Sequence, residues 1–140
     1  MHMRVVLIVI FLLVLAVPVQ ADYEQDKQAC INPEVRHYTK ISARTRLIQS
    51  GRLSKKNLPI ALFNRAISYA WTEQNSRSIQ GFSEVIRFKP RYADAFYNRG
   101  VVYDKMYQRK MAVQDYKKAY DLGSRRPNLL KKLKEYGVLP

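Results

Sequence analysis

The sequence contains a single cysteine, Cys30, so no disulfide bond can form within one chain. Histidine is almost as scarce, because His37 is the only one after residue 2. A Cys/His pair without a third ligand is weak support for catalysis or metal binding, and the sequence has no glycine-rich phosphate loop. These absences favour a non-enzymatic protein without a metal or cofactor, in which Cys30 is an inert thiol and packing alone provides stability.

Long hydrophobic runs are confined to the first residues. Arg4 precedes the stretch Val5–Val17, which has no charged or polar side chain, and Pro18 ends this stretch shortly before Ala21. A membrane-spanning helix needs about 20 apolar residues. The pattern therefore favours a secretory signal peptide over residues 1–21, cleaved after Ala21, rather than a retained membrane anchor. We expect an exported protein.

Acidic residues are few as well. The chain has 11 Asp and Glu against 25 Lys and Arg, which gives a formal net charge of +14 at pH 7. This balance favours encounters with anionic partners. Nucleic acid is disfavoured, because an exported protein seldom meets it and the tyrosines are spaced for packing. Anionic lipid or polymer is favoured over it, since Arg125–Lys134 concentrates positive charge near one end.

Helical periodicity extends over most of the remaining sequence, and no segment alternates as a strand does. Asn32-Pro33-Glu34 predicts a helix start, and Gly51 predicts the end of that helix. Its predicted apolar face consists of Val35, Tyr38, Ile41, Thr45 and Ile48. Five further helices are predicted: from Pro59 to Trp71, from after Ser76 to Lys89, from Ala93 to Met106, from Lys110 to Leu122, and from Pro127 to Tyr136.

Two segments of the chain repeat each other. Residues 59–90 align with residues 93–124 at a shift of 34 residues without a gap. Two antiparallel helices approach closely where a small residue on one faces a large residue on the other. The matched small residues are therefore predicted to leave gaps that the matched aromatic residues fill. The pairs include Ala61 and Ala95, Asn64 and Asn98, Arg65 and Arg99, Ala66 and Gly100, Tyr69 and Tyr103, and Phe82 and Tyr116.

This period and pattern resemble the tetratricopeptide repeat (TPR), a 34-residue helix-turn-helix unit. Ala95–Leu122 matches that repeat closely, and Ala61–Pro90 matches it more loosely. The resemblance implies an all-α fold, a TPR superhelix or α-solenoid with about two full repeats. The implied segments are a degenerate N-terminal helical region (22–58), repeat 1 (59–92), repeat 2 (93–126) and a C-terminal capping helix (127–140).

The segment Arg46–Ala66 resembles the lead-in of small exported TPR proteins of Gram-negative bacteria. This likeness implies the periplasm as the location, with secretion as the second choice. Such proteins often carry a cysteine at the position that Arg44 occupies here, where it can pair with a cysteine near Cys30. Since arginine replaces that cysteine, no family disulfide is expected in this chain.

The first helix of each TPR hairpin lines the concave groove, so the resemblance implies that ligand contacts lie there. Aromatic, amide and lysine side chains suit an extended peptide. Asn64 and Asn98 can equally bond within the stack, and Arg65 and Arg99 are expected to be structural. The implied groove residues are Phe63, Asn64, Ile67, Trp71, Tyr97, Asn98, Val101, Lys105, Lys131 and Lys132.

The resemblance therefore implies a non-catalytic protein–protein interaction scaffold that binds a protein or peptide in the cell envelope. A specialised clamp for a peptide carboxylate is disfavoured, because Phe63 and Ile67 stand where such a clamp needs polar side chains. The alternative function is that of a basic protein that attaches electrostatically to anionic envelope lipid or polymer. The sequence does not identify the partner or the oligomeric state.

Overall fold

The computed structural model describes residue 20 and residues 22–140. The predicted signal peptide, residues 1–21, and its cleavage site lie outside the described residues, apart from residue 20. All regular elements of the described part are helices, as predicted. Within that part, none of the helices has both the length and the apolar character needed to cross a bilayer.

The chain divides into two compact units, Met1–Arg52 and Leu53–Pro140. In the first unit, residues 22–31 are helical and are followed by helix α1. The second unit contains five helices and both copies of the repeat. The helices are α1 (His37–Gln49), α2 (Asn57–Trp71), α3 (Asn75–Phe88), α4 (Ala93–Lys105), α5 (Arg109–Asp121) and α6 (Pro127–Glu135).

Helix α1 begins later than predicted. The Asn32 side chain does not cap a helix, because its Oδ1 accepts a hydrogen bond from the Glu34 backbone N–H at 2.9 Å and closes a turn. Arg36 is extended, and α1 starts at His37. The predicted end is confirmed, because the helix stops at Gln49 and Gly51 has a φ of +67°, a conformation that glycine adopts without steric cost.

The predicted apolar face of α1 is also wrong. Tyr38 is 65 % exposed, and the buried residues of this helix are Ala43, Arg44 and Leu47. Two polar contacts accompany this orientation of the helix. The Arg44 Nη2 donates to the Cys30 carbonyl at 3.0 Å. Arg46 Nε donates to the carboxylate of the buried Asp26 at 2.9 Å, which ties α1 to the helical segment before it.

The second unit repeats the same helical hairpin, which confirms the predicted 34-residue period. Helix α2 packs on α3, α3 on α4, α4 on α5 and α5 on α6. Glu73 and Tyr107, 34 residues apart, have φ values of +59° and +58° in the two hairpin turns. Each turn is closed by the next residue, since the Gln74 and Gln108 N–H groups donate to the carbonyls of Tyr69 and Tyr103 at 2.9 Å.

The predicted gap at Gly100 is confirmed. A Cβ atom at this position would lie 2.9 Å from Cδ1 of Tyr116, whose side chain is 1 % exposed. In the first hairpin, Ala66 packs in a cluster with Phe82, as predicted. A second small residue was not foreseen there: a Cβ atom at Gly81 would lie 2.8 Å from the Cβ of Ala66.

Replacement of Tyr107 by glycine is expected to stabilise the protein. A left-handed backbone costs an L residue about 1–2 kcal/mol, and this exceeds the entropic cost of glycine, about 0.5–1 kcal/mol. Because Tyr107 is 95 % exposed, little packing is lost. Tyr107→Gly should raise the free energy of unfolding by about 0.5–1 kcal/mol, measured by urea denaturation. Tyr107→Ala is the matched control and should not stabilise; equal effects of the two would contradict the explanation.

Candidate binding groove

A small apolar hollow lies between α2 and α4 in the second unit. Its volume is about 150 Å³. Trp71, at the end of α2, is 70 % exposed, so a large aromatic surface stands beside this hollow. We call this the apolar hollow; its lining residues are Ile67, Ala70, Trp71, Phe82, Asn98, Val101, Val102 and Lys105.

A larger hollow lies between α4 and α6, with Tyr116 of α5 also lining it. Its volume is about 460 Å³, and charged side chains line much of it. We call this the charged hollow; its lining residues are Tyr97, Val101, Asp104, Lys105, Tyr116, Asn128, Lys131, Lys132 and Glu135.

The two hollows form one groove, because Val101 and Lys105 line both of them. The two hollows also lie at equivalent positions of the two repeats. Six of the eight residues that line the apolar hollow correspond, at a shift of 34, to residues that line the charged hollow. The corresponding pairs are Ile67 and Val101, Ala70 and Asp104, Trp71 and Lys105, Phe82 and Tyr116, Asn98 and Lys132, and Val101 and Glu135.

Asp104 is the most strongly bonded residue of the charged hollow. Lys132 Nζ lies 3.0 Å from its Oδ2, and the hydroxyls of Tyr136 and Tyr116 also donate to its carboxylate. Burial acts to raise the pKa of Asp104, but the hydrogen bonds from Tyr136 and Lys132 outweigh it, so the pKa is lowered. The hydrogen bond to Asp104 in turn raises the pKa of Lys132.

The structure brings together eight of the ten predicted groove residues. Asn98 lines the apolar hollow and also has a structural role, since its Nδ2 donates to the Asp94 carbonyl at 2.7 Å. Phe63 and Asn64 line neither hollow. The Phe63 ring instead packs against Phe82, with 5.5 Å between the ring centroids, and against Tyr92. The eight residues are Ile67, Trp71, Tyr97, Asn98, Val101, Lys105, Lys131 and Lys132.

Sequence reasoning missed Asp104, Asn128 and Glu135, which line the charged hollow. The repeat register contained a signal for one of them. Glu135 follows from the predicted groove residue Val101 at a shift of 34, but it differs from Val101 in charge. Asp104 corresponds to Ala70, which was not a predicted groove residue. Asn128 has no such signal, because its counterpart Asp94 lines neither hollow.

Metal ligands are not grouped in the described residues. No three His, Cys, Asp or Glu side chains of that part lie close enough together to hold an ion. Cys30 is half-buried, and burial raises the pKa of its thiol although Arg44 opposes this. The groove itself offers hydrogen bonds, charge and apolar surface, by which proteins recognise ligands.

No protein-family model matches this sequence, and no curated protein matches it. Solved structures do resemble the chain. The crystal structure of MamA, a TPR-like repeat protein, aligns with a TM-score of 0.67 and 17% sequence identity over 86% of this chain and 69% of that one. At this identity the likeness concerns the fold alone. The chain is therefore a TPR-like helical repeat protein of the α-solenoid class, which confirms the fold that the repeat pattern implied.

Because of Asp104, the free energy of unfolding is expected to change with pH in the acid range. A carboxyl whose folded pKa is lowered stabilises the fold above its unfolded pKa, 3.8 here, and this contribution is lost as pH falls through the folded pKa. Asp104→Asn should therefore be less stable than the wild type at pH 7, with the difference shrinking below about pH 4. Thermal melts followed by circular dichroism test this. Asp121→Asn, at an exposed site, is the control. Parallel curves of melting temperature against pH for the wild type and Asp104→Asn would contradict the expected contribution of Asp104.

Proposed function

We propose that this protein is a non-catalytic interaction scaffold of the cell envelope, which binds a segment of a partner protein in the groove formed by α2, α4 and α6. The TPR-like fold supports this coarse assignment, because such folds typically serve protein interaction. The observation that carries the proposal is the continuity of the groove: Val101 and Lys105 join its two hollows into one surface.

The residues that line the groove favour a ligand with both an apolar and a charged side chain. The apolar hollow suits an aliphatic or aromatic side chain, which would pack beside Trp71. The charged hollow suits a polar or charged side chain, because Lys105, Lys131 and Glu135 present charges of both signs. An extended segment that carries an apolar residue near a charged residue fits the two hollows. Asn98 adds an amide next to the ligand backbone.

We further propose that the protein acts in the periplasm of a Gram-negative bacterium, with secretion as the second choice. The pattern of residues 1–21 supports export, and so does the likeness of Arg46–Ala66 to small exported TPR proteins. Mass spectrometry of the periplasmic fraction should find a chain that begins at Asp22. A chain that keeps residues 1–21 and remains with the membrane pellet would contradict cleavage.

Electrostatic attachment to anionic lipid or polymer is the second candidate. Part of the C-terminal positive charge is already used within the chain, because Arg126 pairs with Asp94 at 2.8 Å and Lys132 pairs with Asp104 at 3.0 Å. Lys134 is exposed, and the exposed Lys131 lies 3.9 Å from Glu135. This function therefore depends on fewer cations than the sequence suggests, and it should fail at high salt.

The groove can be tested with two matched double variants. Trp71→Ala/Lys105→Ala removes one exposed aromatic and one exposed lysine from the groove, and Tyr107→Ala/Lys110→Ala removes the same pair of residue types outside it. In a crosslinking pull-down from the native envelope, the first variant should capture its partner at least about tenfold more weakly, equivalent to about 1.4 kcal/mol. The second variant should capture it as the wild type does.

Two outcomes would contradict the groove. The first is equal capture by both double variants. The second is capture that disappears at high salt in the wild type and in both variants alike, which would favour electrostatic attachment instead. Circular dichroism of each variant confirms that helicity is retained before capture is compared.

A further inference from the structure

The groove contains charges of both signs, and most of them pair with each other. Lys132 Nζ lies 3.0 Å from Oδ2 of Asp104 and 3.3 Å from Oε2 of Glu135. Lys131 Nζ lies 3.9 Å from Oε1 of Glu135. Both carboxylates of the charged hollow therefore have a lysine partner on α6. A basic side chain of a ligand would have to compete with these lysines for them.

Lys105 differs from the other two lysines of the groove. Within the part of the chain that the structure describes, it has no carboxylate partner. It is the last residue of α4, its side chain is exposed, and it lines both hollows. The groove therefore has one uncompensated positive charge at the place where its apolar and charged parts join.

We propose that the groove selects a segment in which an aspartate or glutamate side chain lies close to an aliphatic or aromatic one. The apolar side chain enters the apolar hollow beside Trp71, and the carboxylate pairs with Lys105. This inference rests on the proposed function, because it needs the segment to lie in the groove. The net charge of +14 adds to the selection, since it attracts acidic partners over a longer range.

A side-chain carboxylate fits this arrangement better than the carboxylate at the end of a chain. Capture of a chain end uses several converging donors. Lys131 and Lys132 are already paired, and Asn98 Nδ2 already donates to the Asp94 carbonyl at 2.7 Å. A single ammonium group is a point charge on a flexible stem, so Lys105 can pair with either an aspartate or a glutamate side chain.

The selection can be measured with an array of immobilised peptides and the full chain at fixed ionic strength. Each peptide is blocked at both ends and carries leucine or phenylalanine, followed after a glycine spacer of varied length by Asp, Glu, Asn, Gln or Lys. The wild type should bind the acidic peptides at least about threefold more tightly than their amide counterparts. The lysine peptides should bind most weakly.

Two variants of equal net charge show whether Lys105 is responsible. Lys105→Glu and Lys110→Glu each replace an exposed lysine, but Lys110 lines neither hollow. Lys105→Glu should reverse the order of the acidic and lysine peptides, and Lys110→Glu should keep the order of the wild type. Lys105→Gln should lose the preference without reversing it. Equal effects of Lys105→Glu and Lys110→Glu would overturn the proposal, because the preference would then follow the net charge alone.

Trp71→Ala separates this proposal from the groove itself. If Trp71→Ala weakens binding of all peptides but Lys105→Glu keeps the preference for acid, the acidic ligand is overturned and the groove is retained. No binding of any peptide, or binding that neither variant alters, would overturn both. A peptide that ends in a free carboxylate and has no acidic side chain should bind no better than its amidated form. Stronger binding of the free form would overturn selection of a side chain.

Discussion

The second hairpin depends on how closely α4 approaches α5 at Gly100. The Tyr116 ring fills the space that a side chain at this position would occupy, and the ring is buried between the helices. Because the ring enters so deeply, its hydroxyl reaches Asp104 and lines the charged hollow. Burial raises the pKa of Tyr116, and the charge of Asp104 raises it further, so the hydroxyl remains a hydrogen-bond donor. One close contact thus shapes both the core and the groove.

The hairpins were predictable from the sequence because each of their constraints is local or repeated. The small residue at Gly100, the large one at Tyr116 and the proline after Lys89 act at fixed spacing, and the helix bounds agree within about two residues. The face of α1 was not predictable in this way. The helix contacts the preceding segment through Arg44 and through Arg46 with Asp26, and no periodicity along one helix reveals contacts between segments.

The candidate groove was partly predictable for the same reason. A position such as Trp71 or Lys105 follows from the repeat register, whereas the pairing of Asp104 with Lys132 and Tyr136 depends on how α6 packs beyond the last repeat. The two copies of the repeat also carry chemically different residues at some corresponding positions. A glycine at position 81 and an aspartate at position 115 look like ordinary divergence in an alignment, and only the packing of Ala66 shows that a side chain at position 81 would press against the neighbouring helix.

Arg44 links two segments of the N-terminal unit by a reversible bond. Its guanidinium donates to the backbone carbonyl of Cys30, which lies in the segment before α1, at 3.0 Å. A hydrogen bond from an arginine does not depend on the redox potential, whereas a disulfide does. The N-terminal unit can therefore reach its folded state without an oxidising catalyst, and reducing agents should leave that state unchanged.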